Sequence, residues 1–136
     1  MTHYRGSCLC GHVAFVVEGA FNNVTNCHCI TCQKVSGAPY VTWVEFPTAQ
    51  ITWTGAEPTW RTSSDKGERG FCPECGSTVT FRFLGSDATD LACVLFDDPS
   101  IFAPSDELYT DSRQSWTVLN ERLTHFPKER TFKPKT

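Results

Sequence analysis

A small, mostly β domain pinned by zinc is the fold class this sequence predicts, and three observations predict it. Short runs of β-branched and aromatic residues recur along the chain, most of them bounded by Gly, Pro, Asn or Asp. No apolar stripe with a 3.6-residue period reaches helical length. Seven of the eight cysteines fall in three tight clusters: Cys8/Cys10, Cys27/Cys29/Cys32 and Cys72/Cys75. A chain of 136 residues that is 40% hydrophobic, with ten Phe and four Trp, has material for one core. At this length about two-thirds of the unfolded surface can be buried, so residues 1–136 read as a single domain.

The elements follow in order. His12–Glu18 is a β-rich run between Gly11 and Gly19, expected to be buried on both faces. Asn22-Asn23 turns the chain, and a short extended piece leads into the central cysteine cluster. Tyr40–Phe46 reads as a strand stopped by Pro47, and Ile51–Thr54 and Thr59–Thr62 as two more around a Gly-Ala-Glu-Pro turn. Residues 63–68 are polar and turn-rich, hence a surface loop. In Thr78–Phe83, Val79, Phe81 and Phe83 alternate with Thr78, Thr80 and Arg82, which predicts one buried and one polar face. Leu91–Phe96 reads as a strand buried on both sides. Short strands are expected near Leu108-Tyr109 and over Trp116–Leu119. No linker or repeat divides the chain.

Charge narrows the function classes. The formal net charge is −3 with every Cys neutral, and metal binding by deprotonated thiols makes the chain more acidic still. That argues against a nucleic-acid partner. The basic stretch 128–136 reads as a solvated tail. No apolar run approaches the length of a membrane span, and the first residues lack the apolar core of a signal peptide. The expected location is therefore the cytoplasm, with no membrane partner.

In a reducing compartment, clustered cysteines read as metal ligands before disulfides. Cys-x-Cys and Cys-x-x-Cys spacings converge thiolates on one ion, and Gly11 and Gly76 allow the turn after the outer pairs. Cys8, Cys10, Cys72 and Cys75 together would make a closed four-cysteine zinc site tying the N-terminus to the middle of the chain. Cys27, Cys29 and Cys32 would then supply three ligands and leave a fourth position for a water, a substrate atom or another side chain. Spacing alone also permits Cys27/Cys29 to share an ion with Cys72/Cys75. His28 lies between two ligands, and in an extended segment its side chain points away from theirs, beside the site rather than in it. His3, His12 and His125 remain formal alternatives as ligands. Cys93, in an apolar run, reads as a small buried hydrophobe.

The segments Gly6–Gly11, Cys27–Gly37 and Phe71–Ser77 resemble the glutathione-dependent formaldehyde-activating enzyme family, which includes centromere-protein-V-like proteins. The resemblance runs from about residue 5 to Pro127, and Asp111–Trp116 with Phe126-Pro127 resembles the family's closing segment. It implies a β-tent (Mss-four-like) fold and two zinc ions. One is structural, on Cys8, Cys10, Cys72 and Cys75; the second, on Cys27, Cys29 and Cys32, has an open position. Two departures are Glu107, where a His is expected, and Ser115, where a Pro usually precedes the Trp. Both are expected to lie away from the metal motifs.

The activity so implied is that of a carbon–sulfur lyase or synthase of the S-(hydroxymethyl)glutathione type, with glutathione or another thiol as co-substrate. The cysteines Cys27, Cys29 and Cys32 would act through zinc, and His28 as a proton shuttle or simply as a hydrogen-bonded knuckle residue. Lys34, Arg61 and Arg113, with Arg82 in reserve, are candidates to meet glutathione's carboxylates, and Trp43 and Trp116 to wall a pocket. The alternative is a non-catalytic zinc scaffold for protein interaction. A methionine sulfoxide reductase-type enzyme would need a reactive exposed cysteine, and the apolar setting of Cys93 argues against that.

Overall fold

The computed structural model of the chain describes residues 2–134. Strands β1 (His3–Ser7), β2 (Ala14–Glu18) and β3 (Asn23–Cys27) lead to a short helix, α1 (Ile30–Ser36). Then come β4 (Val41–Pro47), β5 (Ile51–Trp53), β6 (Thr59–Thr62), β7 (Gly67–Phe71), β8 (Thr78–Phe83), β9 (Ala88–Ala92), β10 (Asp106–Leu108) and β11 (Thr124–His125). They form two sheets, ordered β1-β2-β5 and β11-β10-β3-β4-β9-β8-β7-β6. All pairings are antiparallel except those of β10, which runs parallel to both β3 and β11. The fold is mostly β, as the sequence predicts.

One apolar row fixes how the sheets meet. Val24, Val44 and Leu91 are register partners across β3, β4 and β9, and all three are buried. With Phe46 they pack on Phe15 and Val17 of the small sheet. Phe96 and Phe102 complete this core, their ring centroids 4.6 Å apart. Side chains alternate along a strand, so the next row, Thr25, Trp43 and Ala92, faces the other way. That second face carries the site.

Several expectations need correction. β2 is not buried on both faces: Phe15 and Val17 are buried while Ala14 and Val16 are half-buried. The run from Leu91 does not continue as strand to Phe96. It leaves β9 after Ala92 and makes a 3₁₀ turn at Cys93–Leu95, with Val94 exposed at the surface. Trp116–Leu119 forms no strand, and Trp116 and Val118 are exposed. In β8 the expected alternation breaks down, with Val79 and Thr80 both buried and Phe81 only half-buried. Thr80 is fully buried, its hydroxyl donating to the Asp90 carbonyl at 2.6 Å, while Phe83 is exposed.

α1 is a short helix that the sequence pattern does not announce. Seven residues are too few to show a periodic stripe, and the N-terminal cap is an unusual one. The N-cap is Cys29, whose Sγ accepts the Cys32 N–H at 3.3 Å, a role more often filled by Ser or Asp. At the other end Gly37 adopts φ +66°, and its N–H reaches the Gln33 carbonyl at 2.9 Å.

Candidate metal centre and its cavity

Two clusters of thiols form among the described residues. In each, the sulfurs lie within 4.8 Å of one another: Cys8, Cys10, Cys72 and Cys75 in one, Cys27, Cys29 and Cys32 in the other. Four sulfurs held tetrahedrally about a zinc ion at ~2.3 Å stand about 3.8 Å apart. Cys8 Sγ–Cys10 Sγ measures 3.6 Å and Cys10 Sγ–Cys72 Sγ 3.8 Å, so the first cluster has the dimensions of a zinc site. Backbone amides support it, from Val13 to Cys8 Sγ at 3.3 Å and from Cys75 to Cys72 Sγ at 3.5 Å. Gly11 and Gly76, at φ +81° and +79°, supply the left-handed residue each knuckle needs. The Ser77 hydroxyl beside Cys75 pulls that thiol down to about 5. The His12 amide also lowers Cys10, but burial and the neighbouring thiols outweigh it and push Cys10 up to about 12.

The three-cysteine cluster is built by the end of β3 and the start of α1. Cys27 closes the strand, Cys29 caps the helix and Cys32 lies in its first turn. Hydrogen bonds from Cys27 and Cys32 draw Cys29 down to about 2, while the bond it donates to Cys29 pushes Cys27 up. The three sulfurs are thus close enough to perturb one another's protonation, as sulfurs that converge on one cation do. Zinc fits this donor set with a coordination position to spare.

These three cysteines line a cavity of about 290 Å³. Its walls are Trp43 of β4, Phe81 and Phe83 of β8, and Leu108 and Tyr109 at the end of β10. Thr25, Thr31, Ser63 and Ser64 add small polar groups, and Arg69 and Asp90 are the charged residues in the lining. The Arg69 guanidinium sits 4.6 Å from the Phe81 ring centroid and offers both terminal nitrogens to Cys32 Sγ, at 3.6 and 3.7 Å. Asp90 is the register partner of both Glu45 and Phe81. Burial, and next the charge of Glu45, push its carboxyl up to about 8. Tyr109 holds φ +55°, the one left-handed non-glycine among the described residues, and strain of this kind concentrates at functional sites.

His28 belongs elsewhere. It is fully buried, with Nε2 donating to Glu107 Oε1 at 2.6 Å and its ring centroid 4.9 Å from that of Tyr40. Glu107 also accepts from Asn26 Nδ2 at 2.9 Å, and Asn26 Oδ1 takes the Thr42 hydroxyl at 2.6 Å. His28 is not among the residues that line the cavity, and its ring is engaged by Glu107 instead. Glu107, expected far from the metal motifs, instead braces the residue between two of the cysteines.

The candidates for carboxylate binding are not gathered either. Lys34 lies on the exposed side of α1 beside Trp116, and Arg61 is exposed on β6. Arg113 donates to the Thr110 carbonyl at 2.8 Å, and Arg82 pairs with Glu68 and stacks 3.8 Å from the Trp60 ring. Of the two tryptophans, Trp43 lines the cavity and Trp116 does not. Arg69, Asp90 and Tyr109 were missed by sequence reasoning. Arg69 sits in a stretch, Gly67–Phe71, that reads as loop and knuckle yet forms a strand, so nothing aimed its side chain anywhere.

The model of a family described as glutathione-dependent formaldehyde-activating enzyme matches residues 3–112. It spans all seven clustered cysteines and ends within the Asp111–Trp116 segment. A crystal structure of a Rhodobacter sphaeroides protein is similar, with a TM-score of 0.57 and 19% sequence identity over 68% of this chain and 87% of that one. At that identity the likeness shows the fold alone. Comparison with curated proteins finds no match.

Proposed function

The chain belongs to the glutathione-dependent formaldehyde-activating enzyme family, and from that premise we propose that it makes or breaks a carbon–sulfur bond between a thiol and a small carbonyl compound. In this reading Cys8, Cys10, Cys72 and Cys75 hold a structural zinc, and Cys27, Cys29 and Cys32 hold a second one. A zinc ion held by these three thiolates would lower the pKa of a substrate thiol that joined them. The observation that carries the reading is a three-sulfur ligand set lining a cavity, rather than one closed by a fourth residue.

The chemistry balances without an oxidant. The sulfur lone pair forms the S–C bond, the carbonyl π pair moves to oxygen, and that oxygen takes up the proton the thiol gave away. Cleavage runs the same steps backwards. Arg69 places positive charge against Cys32, which offsets the charge of the thiolates. Trp43, Phe81 and Leu108 exclude bulk water and so strengthen that interaction. A purely structural zinc scaffold has no need of such a cavity.

The test is an exchange measurement by NMR on protein holding two zinc ions, following interconversion of formaldehyde hydrate and an S-hydroxymethyl thiol. The expected result is faster exchange that Cys29→Ser abolishes. Exchange no faster than without protein rejects the reading.

A further inference from the structure

Resting on the reading of Cys27, Cys29 and Cys32 as a thiol-accepting metal site, we infer that the thiol taken by this cavity has an apolar body and is not a dicarboxylate such as glutathione. Glutathione must place two carboxylates as well as its sulfur. A buried carboxylate needs a cationic partner or several hydrogen-bond donors, otherwise its desolvation is uncompensated. The cavity offers a single cation, Arg69, whose terminal nitrogens both face Cys32 Sγ, and its other donors, on Thr25, Thr31, Ser63 and Ser64, are neutral hydroxyls too few to hold two carboxylates as well as a sulfur. Lys34, Arg61 and Arg113 all lie outside the lining.

The other side chain of an ordinarily charged type in the lining is an acid, so it offers a carboxylate no cation. Asp90 lines the cavity, and Glu45 stands beside it on the neighbouring strand. A substrate carboxylate entering there would meet another carboxyl group rather than a cation. The walls favour something else: Trp43, Phe81, Phe83, Leu108 and Tyr109 present rings and a branched aliphatic side chain. Phe81 and Phe83 meet edge to face with centroids 4.9 Å apart, the arrangement into which a third ring packs. Small sites of this kind gain affinity mainly from apolar burial, with a few polar groups for orientation. Phe83 is 59% exposed, so substrate would cover surface that water now wets.

The experiment is anaerobic calorimetric titration of the two-zinc protein with three thiols at one pH: 2-phenylethanethiol, glutathione and glutathione diethyl ester. The ester keeps glutathione's thiol and masks its carboxylates. The expected result is 2-phenylethanethiol binding at least about tenfold more tightly than glutathione, with the ester also tighter than the parent. Phe83→Ala, a change at an exposed position, should weaken 2-phenylethanethiol severalfold and by more than it weakens glutathione. Glutathione binding as tightly as 2-phenylethanethiol, or no more weakly than its ester, overturns the inference while leaving the thiol-binding reading intact. Failure of all three thiols to bind overturns both.

Discussion

Asp90 is a half-buried carboxyl group in the cavity lining, and its protonation links the cavity to stability. Its pKa is pushed up to about 8, against an ordinary value of 3.8. Between about pH 4 and pH 8 the unfolded chain has released this proton while the folded chain keeps it, so stability falls as pH rises through that window. Asp90→Asn cannot ionise and escapes the loss. Its melting temperature should therefore gain on that of the wild type from about pH 5 to about pH 8, measured by thermal denaturation at both values. A constant difference would show that Asp90 ionises normally. Single residues of this kind were the least legible in the sequence. Asp90 follows a turn and reads as part of it, and Arg69 sits where loop residues were expected. The cysteines were legible because metal ligation demands close spacing, whereas a cavity wall is assembled by register between strands far apart in the chain.

Among elements, strands with strong alternation or β-branched runs were readable, and those held by pairing alone were not. β4 and β8 are examples of the first kind. β1 and β7, in contrast, carry glycines and charged residues, and they exist because β2 and β8 supply partners. Gly6 in β1 shows why. A Cβ there would stand 2.5 Å from the Phe15 ring and 2.6 Å from the Leu95 carbonyl oxygen, so the strand lies flush against the core only without a side chain. Gly6→Ala should lower unfolding free energy by roughly 1–3 kcal/mol in urea titration of the zinc-loaded protein. A change near zero would mean that β1 can lift from the core at no cost. α1 was invisible for another reason. Its N-cap is a cysteine engaged with the other thiols, so the local signal for a helix start was absorbed by the signal for a metal knuckle.

The two thiol clusters act on the whole molecule in different ways. Cys10 and Cys72 are 62 residues apart in sequence, so a metal held there joins β1 to the turn between β7 and β8. Zinc in such sites contributes about 10–16 kcal/mol, comparable with the ~5–15 kcal/mol that holds a whole domain folded. Cys27, Cys29 and Cys32 span six residues and constrain little beyond α1. Cys72→Ser should thus lose the folded far-UV circular dichroism spectrum. Cys29→Ser keeps a hydroxyl able to cap α1, and should stay folded while binding one zinc ion fewer by elemental analysis. Equal unfolding of both variants would contradict this division. If Cys27, Cys29 and Cys32 hold zinc, that ion has a position open to a thiol. Zinc K-edge X-ray absorption, on protein with and without added 2-phenylethanethiol, reads this directly. One of the two zinc ions should gain a sulfur ligand when the thiol is added, and Cys29→Ser should abolish the change. A coordination shell unchanged by the thiol would contradict it.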